Sequence, residues 1–257
     1  LQDWGISRFT SVVQLAGHSL FMAALIAVVS GDFGMVLVYL GLFVIIAWTA
    51  GVKKRWFLLA LVLGVAAVIV VWPHVPGYIQ GRFTVVIDHI TGNPDTYVEQ
   101  TQGRGWQQTR SILAIGSGGL FGQGYLQGTQ TQSASEEALP ARHTDEIFAV
   151  CGEEFGMVGC ILVILLLTAI ILRCVWVARR ANSPMAAYVA MGYAAMLLLQ
   201  TVINIGMCLY VFPVVGLTLP FFSSGGSSII TLYACMGIVS GIKMRSLPSW
   251  LRDRSQL

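Results

Sequence analysis

Residues 155–177 read FGMVGCILVILLLTAIILRCVWV, an apolar run in which Arg173 is the one charged residue. A helix needs about 20 mostly apolar residues to cross the hydrocarbon core of a bilayer. The run therefore predicts a transmembrane helix. The whole chain agrees, because 56% of its 257 residues are hydrophobic and 11% are charged, whereas soluble proteins carry about 25% charged residues.

Five further windows have the same character. They are Phe9–Val29, Phe33–Ala50, Trp56–Trp72, Met185–Leu209 and Val211–Ile242, the last long enough for an entry segment as well as a span. We predict an all-α integral membrane protein, a polytopic helical bundle of about six transmembrane helices with a large polar loop at 73–154. We expect residues 1–257 to form a single membrane domain, the C-terminal part of a longer chain. Within the loop, residues 111–120 are mildly apolar and could form an interfacial or re-entrant piece.

The basic residues predict the orientation of the spans. Eleven of the 15 fall on one side of a six-span arrangement, and the other four, Arg82, Arg104, Arg110 and Arg142, lie in the large loop. Lys and Arg are enriched in cytoplasmic segments of membrane proteins. The basic side is therefore cytoplasmic and the 73–154 loop extracytoplasmic. No region combines basic and aromatic residues as nucleic-acid interfaces do.

The loop ends in LPARHTDEIFAVCGEEFG, residues 139–156, the densest group of ionisable residues in the chain. If a helix begins near Thr144, then Asp145, Ala149, Gly152 and Gly156 share one face. The small residues could border a cavity, but periodicity favours close packing of two helices. Asp145 could accept a proton from a substrate hydroxyl. On these residues alone, capping of the helix is the favoured interpretation.

The other ionisable residues of this stretch have simpler interpretations. His143 has no second histidine at a metal-like spacing and is interpreted as a solvated loop residue. Glu137, beside Glu136, is typical of a solubilising pair. Glu153 and Glu154 are interpreted as solvated carboxylates at the membrane edge.

A second informative stretch, residues 204–230, reads NIGMCLYVFPVVGLTLPFFSSGGSSII. Its prolines and glycines break the backbone at membrane depth, which is tolerated only where protein or a wet cavity covers it. Serines such as Ser223 and Ser227 could satisfy the freed backbone groups or face a polar headgroup. Asn204 is expensive in lipid and is expected to face the bundle interior.

A third stretch, GRGWQQTRSILAIGSGGLFGQG at residues 103–124, is rich in glycine. It matches neither a phosphate-binding GxxxxGK loop nor a dinucleotide fingerprint. Arg104 and Arg110 could meet a phosphate, and they could equally be solvated charges.

Together the three stretches resemble the SEDS family, the FtsW, RodA and SpoVE group of cell-wall polymerases. GWQ followed by SILAIGSGGLFGQG is similar to the family's G-[YW]-Q…S-x-x-A-I-G-S-G-G-x-x-G-x-G segment. LPARHTDEIFAVCGEEFG resembles L-P-E-x-x-T-D-F-I-F-A…E-E-x-G. NIGM…PVVGLTLPFFSSGGSS resembles N-I-G…P-x-T-G-x-P-L-P-F-x-S-Y-G-G-S-S. The turn at 31–34, GDFG, is similar to the family's P-D-[FL]-G turn.

The resemblance implies a peptidoglycan glycosyltransferase of the bacterial cytoplasmic membrane that polymerises lipid II into glycan strands on the outer face. It assigns the essential carboxylate to Asp145, as the general base, and this reverses the preference for capping. It places substrate-binding side chains at Gln107, Arg110, Ser111, Glu137, His143, Thr144, Asn204, Ser223 and Ser227. It implies lipid II, membrane lipids and a class B penicillin-binding protein as partners. No cofactor is firmly implied, although a divalent cation that assists the pyrophosphate stays open.

Three positions depart from the family pattern. Ala141 replaces the usual Glu, Glu146 replaces the usual Phe, and Ser224 replaces the usual Tyr. We expect Glu146 to add a charge beside Asp145 and so to raise the proton affinity of Asp145.

Two other functions compete with the polymerase. A lipid II transporter is compatible with the broken backbone near Asn204, and a non-catalytic scaffold for a cell-wall synthesis complex is the third hypothesis. A transporter needs ionisable groups at depth, whereas Asp145 lies at the outer rim. We therefore favour the enzyme.

Overall fold

The computed structural model describes residues 9–92, 95, 97–133 and 139–246. Its α-helices are α1 (Phe9–Ser30), α2 (Phe33–Thr49), α3 (Lys54–Val71), α4 (Gly77–Thr91), α5 (Tyr97–Thr101), α6 (Trp106–Gly118), α7 (Ile147–Arg179), α8 (Pro184–Cys208) and α9 (Gly226–Arg245). Within this part of the chain, α1, α3 with its extension to His74, α7, α8 and α9 are long and apolar enough to cross a membrane. The apolar α2 has 17 residues. The predicted class, a polytopic helical membrane protein, is confirmed.

The turn between α1 and α2 shows how local sequence sets a helix boundary. Gly31 ends α1 with φ +63°, in the left-handed region that glycine tolerates. Asp32 then caps α2, because its Oδ1 accepts a hydrogen bond from the Met35 backbone N–H at 3.1 Å. The GDFG sequence is therefore a turn, as its composition indicates.

The polar stretch 73–154 is folded rather than an open loop. It contains α4, α5, α6 and the first turns of α7. The predicted apolar piece at 111–120 lies mostly in α6, a helix of 13 residues that buries Gln108, Ser111 and Ala114. Helix α6 forms despite its Gly, Thr and Gln residues because one of its faces is buried against the start of α7. Ala114 of α6 packs there with Ala149.

The chain divides into two compact units. The first contains Leu1–Ala60, Leu167–Leu199 and Gly226–Leu257, and the second contains Leu61–Leu166 and Gln200–Gly225. Inside the first unit, the Tyr193 hydroxyl donates to the Leu232 carbonyl at 2.8 Å, which links α8 to α9. An apolar cavity of about 990 Å³ lies among side chains of α2, α8 and α9 in this unit.

Helix α7 has a sharp break at Gly156, where φ is +68° and ψ is −163°. The amides that follow the break are not left unpaired. Met157 N donates to the Gly119 carbonyl at 2.9 Å, and Val158 N donates to the Leu120 carbonyl at 3.2 Å. The break therefore joins α7 to the turn that follows α6, inside the second unit.

Between α8 and α9 the backbone is irregular, and it takes positive φ at Tyr210 and Phe221. This confirms that the window Val211–Ile242 combines an entry segment with a span. The irregular segment belongs to the second unit, whereas α9 belongs to the first.

Candidate active site

The candidate site is centred on the turn at residues 141–146, just before α7. Thr144 N and Glu146 N both donate to the Ala141 carbonyl, at 3.0 and 3.2 Å. Helix α7 begins at Ile147, so Asp145 lies in the preceding turn and not on the helix. The helix that the sequence places near Thr144 begins three residues later, because the turn holds the chain in a non-helical path until Glu146.

Three successive carbonyls of this turn are held by polar groups from the second informative stretch. The His143 carbonyl accepts from Ser224 N at 2.8 Å and from Ser224 Oγ at 2.7 Å. The Thr144 carbonyl accepts from Ser223 Oγ at 2.6 Å. The Asp145 carbonyl accepts from Asn204 Nδ2 at 2.7 Å. The backbone of Asp145 is therefore fixed on its carbonyl side by distant residues.

Asn204 and Ser223 also organise the irregular segment itself. Asn204 Nδ2 donates a second hydrogen bond to the Leu217 carbonyl at 2.7 Å, and Ser223 Oγ accepts from Leu219 N at 2.8 Å. Asn204 is fully buried, which confirms that it faces protein. These two side chains satisfy backbone groups of the irregular segment that have no helical hydrogen-bond partner, as a membrane environment requires.

The Asp145 carboxylate lies against a glycine of the same segment. Asp145 is half-buried. A Cβ built on Gly216, whose φ is +67°, would stand 3.8 Å from Asp145 Oδ2. The absence of a side chain at 216 leaves space beside the carboxylate. A partly accessible, positioned carboxylate is the kind of group that acts as a general base.

Glu146 behaves differently from its neighbour. It is fully buried, and its Oε1 accepts from Gln107 Nε2 at 3.0 Å. Burial raises the pKa of Glu146, partly offset by its polar neighbours Ser111, Cys208 and Gln107, and the Asp145 charge raises the pKa further. This favours the neutral form. The expectation that Glu146 adds charge beside Asp145 stays a prediction, and burial acts against it because the desolvated carboxyl retains its proton more readily.

Helix α6 attaches the glycine-rich stretch to this site through its polar face. Ser111 Oγ donates to the Cys208 carbonyl at 3.0 Å, and Gln108 Nε2 donates to the Phe212 carbonyl at 2.7 Å. Cys208 is the last residue of α8 and Phe212 lies in the irregular segment that follows, so neither carbonyl continues a helical hydrogen-bond pattern. Gln107 and Ser111, which the sequence proposed as substrate-binding residues, here make contacts within the protein.

The small residues near the start of α7 serve close packing. Ala149 is fully buried in a cluster with Ala114 and Leu139. A Cβ on Gly118 would overlap the Gly152 carbonyl, and one on Gly156 would overlap the backbone nitrogen of Gly122. The favoured interpretation of the small-residue pattern is confirmed, although Asp145 is not part of the helix.

Glu153 and Glu154 are buried, so the interpretation of these carboxylates as solvated is wrong. Glu153 accepts from Gln130 N at 2.7 Å, Thr131 N at 2.8 Å and Thr129 Oγ1 at 3.1 Å. Glu154 accepts from Gln132 Nε2, Thr131 Oγ1 and Leu126 N. The two carboxylates organise residues 126–132. The polar sequence GTQTQ before them, which supplies most of the donors, is the signal that could have revealed this.

The remaining candidates lie at different places. His143 is exposed, and Arg142 Nε approaches its Nε2 at 3.4 Å. The Thr144 hydroxyl donates to the Ala141 carbonyl. Arg110 lies over the Trp106 ring at 6.0 Å. Ser227 is exposed in the first turn of α9, in the other unit.

Glu137 lies outside the described residues. Among the residues described, no group of three or more His, Cys, Asp or Glu side chains is arranged to hold a metal ion.

The fold and the site first define a class, a polytopic helical membrane protein in which polar side chains from an irregular segment fix a turn that carries an accessible carboxylate. The family model of the FtsW, RodA and SpoVE cell cycle proteins matches residues 2–247, and the chain belongs to this family.

Known proteins resemble the chain over most of its length. Peptidoglycan glycosyltransferase MrdB of Escherichia coli K12 is 38% identical over 87% of this chain and 58% of its own length. Stage V sporulation protein E of Bacillus subtilis is 32% identical over 88% of this chain and 58% of its own length. A chain in the solved structure of a peptidoglycan synthase complex, described for the coordination of polymerization and crosslinking, is 28% identical with a TM-score of 0.71, covering 91% of this chain and 62% of that one. This chain thus spans less than two thirds of these relatives.

Proposed function

We propose that the full-length protein containing this chain is a peptidoglycan glycosyltransferase. It polymerises lipid II into glycan strands at the outer face of the bacterial cytoplasmic membrane. The observation that carries the proposal is the turn at 141–146, where Asn204, Ser223 and Ser224 hold three successive carbonyls around a half-buried Asp145. The similarity to MrdB, a peptidoglycan glycosyltransferase, supports the same activity.

In the proposed mechanism Asp145 is the general base. Its carboxylate accepts the proton of the acceptor sugar hydroxyl as that oxygen attacks the anomeric carbon of the donor. The bond from the anomeric carbon to the diphosphate oxygen breaks, and undecaprenyl diphosphate leaves with the bonding electron pair. Fixing the backbone of Asp145 favours this step, since a preorganised base needs no reorganisation during the reaction.

The arrangement of buried carboxyls favours the enzyme over a transporter or a scaffold. Glu153 and Glu154 use their oxygens on loop donors, and Glu146 is desolvated. Asp145 is the half-buried member of this set. We also propose that a class B penicillin-binding protein is the partner, which the likeness to a chain of a synthase complex supports.

The test compares Asp145→Asn with Asp145→Ala in the full-length protein, reconstituted with its partner and lipid II. Asn keeps the size and the capping capacity of the side chain, but it cannot accept a proton. We expect both variants to insert and fold, and to lose polymerisation by about 10²–10⁴-fold, the contribution of a general base. Ala at His143 is the neighbouring control and should cost less. Glycan synthesis by Asp145→Asn at the wild-type rate would refute the assignment and favour the transporter or scaffold.

A further inference from the structure

A small cavity in the second unit, lined mainly by residues with polar groups, lies beside the candidate active site and has no role in the proposed base catalysis. It has a volume of about 270 Å³ and is lined by Tyr78, Arg82, Arg104, Gln107, Gln108 and Val214. Two guanidinium groups in one small cavity are the donors that bind phosphate oxygens.

The fold makes a specific place for Arg104. Its guanidinium lies directly against Gly81 of α4, where any Cβ would overlap it. Arg104 Nη1 also donates to the Gly77 carbonyl at 3.4 Å, and Nε pairs with Glu99 at 3.4 Å. Gly81 therefore determines the position of the Arg104 guanidinium. A substitution at Gly81 can move this group without changing its charge.

Arg82, in α4, is held by the irregular segment between α8 and α9. Its Nη1 donates to the Val214 carbonyl at 2.9 Å. Among the described residues, no carboxylate lies within ion-pair distance of Arg82. Since Glu99 partners only Arg104, the cavity keeps a positive charge that an anion would neutralise.

Two of the lining residues connect this cavity to the catalytic turn. Gln107 donates to Glu146, the residue after Asp145. Val214 precedes by two residues Gly216, which borders the Asp145 carboxylate. The cavity is therefore joined to the catalytic turn through Gln107 and lies near it in the irregular segment.

We propose that this cavity binds the diphosphate of the lipid-linked donor through Arg82 and Arg104. The proposal rests on the proposed function. As the bond to the anomeric carbon breaks, the electron pair remains on the diphosphate oxygen, and its added negative charge is stabilised by the two guanidinium groups. Stabilisation of charge that develops in the transition state accelerates the reaction. The cavity thus complements Asp145. The carboxylate of Asp145 accepts the proton of the acceptor sugar, and the cavity stabilises the charge on the leaving diphosphate.

The test measures binding of undecaprenyl diphosphate to the full-length protein by native mass spectrometry, with inorganic pyrophosphate and phosphatidylglycerol as competitors. Arg82→Gln should weaken binding by about tenfold or more, because it removes charged hydrogen bonds. Arg82→Lys, which keeps the charge, should retain part of the affinity. Arg179→Gln, at the end of α7, is the matched loss of an arginine and should bind normally.

Gly81→Ala is the sharper variant, because it displaces Arg104 without changing the charge of the protein. Alanine favours helix over glycine, so α4 should be at least as stable, and affinity should nevertheless fall by about fivefold as a charged contact is lost. Gly64→Ala in α3 is the matched control, since a Cβ there meets nothing within 4 Å. Thermal unfolding of every variant checks that the fold is retained.

The outcomes separate this inference from the proposed function. Asp145→Asn should bind undecaprenyl diphosphate normally while it fails to polymerise, and pyrophosphate should compete. Normal binding by both Arg82→Gln and Gly81→Ala would overturn the cavity assignment even if the protein polymerises lipid II. Equal competition by phosphatidylglycerol would overturn it too, since the cavity would then bind membrane anions in general. Diphosphate binding that depends on Arg82 in a protein without polymerase activity would support the cavity and contradict only the proposed function.

Discussion

The two acidic pairs at the start of α7, Asp145–Glu146 and Glu153–Glu154, differ in how their carboxyl groups are engaged. Glu153 and Glu154 are buried, and each accepts three hydrogen bonds from residues 126–132. In the other pair, Glu146 is buried and accepts a hydrogen bond from the Gln107 amide. Asp145 is half-buried in a turn whose backbone carbonyls accept hydrogen bonds from Asn204, Ser223 and Ser224. Carboxylates whose oxygens are fully used have a structural role. Asp145 is held through its backbone carbonyl, and its half-buried side chain is partly accessible.

The largest effect on stability is expected from Glu153→Gln. The amide cannot satisfy all three donors, and its NH₂ group would face the N–H groups of Gln130 or Thr131. We expect the free energy of unfolding to fall by about 3 kcal/mol, as when charged acceptors are removed from buried donors. Thermal unfolding in detergent measures this loss. Glu99→Gln, on an exposed carboxyl, should leave the midpoint nearly unchanged. Equal midpoints for both variants would remove the distinction between the pairs.

Gly156→Ala should have the next largest effect on stability. Gly156 has φ +68°, and a Cβ there would overlap the backbone nitrogen of Gly122 and stand 2.6 Å from the Leu120 carbonyl oxygen. Positive φ alone costs an alanine about 1–2 kcal/mol, and displacement of the turn adds to it, so we expect a loss of about 2 kcal/mol or more in unfolding free energy. Gly237→Ala in α9, where the added Cβ meets nothing, is the control. A stabilised Gly156→Ala would mean that the break in α7 is not required.

How far the sequence predicts this site depends on the distance between interacting residues. The spans, the turn at Gly31–Asp32 and the close packing near Gly152 follow from hydropathy or spacing, which are local properties. The burial of Glu153 does not, because its donors lie 22 to 24 residues earlier in the chain. The helical content of 73–154 does not follow from local sequence either, for the same reason. The contacts of Asn204 and Ser223 with the turn at 143–145 span 59 and 79 residues, and only the family resemblance links these segments.

Ser223→Ala tests whether the fixed backbone of the catalytic turn matters for activity. It removes the hydrogen bond to the Thr144 carbonyl and the acceptor for Leu219 N. We expect about 1–2 kcal/mol less stability and about a tenfold lower polymerisation rate, since the base loses its positioning. Ser183→Ala, which removes the hydroxyl that accepts from Ala186 N in the other unit, should not affect the rate. The reverse order of the two rates would contradict a positioning role for Ser223.

The smallest effect concerns Glu146 and distinguishes it from Glu153 by the pH dependence of stability. Burial raises the pKa of Glu146 above the usual 4.5. Between 4.5 and that raised pKa, the unfolded chain loses the proton while the folded protein keeps it, so this group lowers stability as pH rises through this interval.

Glu146→Gln has no proton to lose and keeps an acceptor for Gln107. The variant should therefore match the wild type near pH 4.5 and become more stable than the wild type as pH rises, because only the wild type loses a proton that its folded state favours. Unfolding midpoints of both proteins across pH 4.5–7.5 measure the difference, with Glu99→Gln as a control that removes an exposed carboxyl. A Gln variant that becomes less stable than the wild type as pH rises would mean that the hydrogen bonds to Glu146 outweigh its desolvation, and the contrast between the two pairs would then reduce to Asp145 alone.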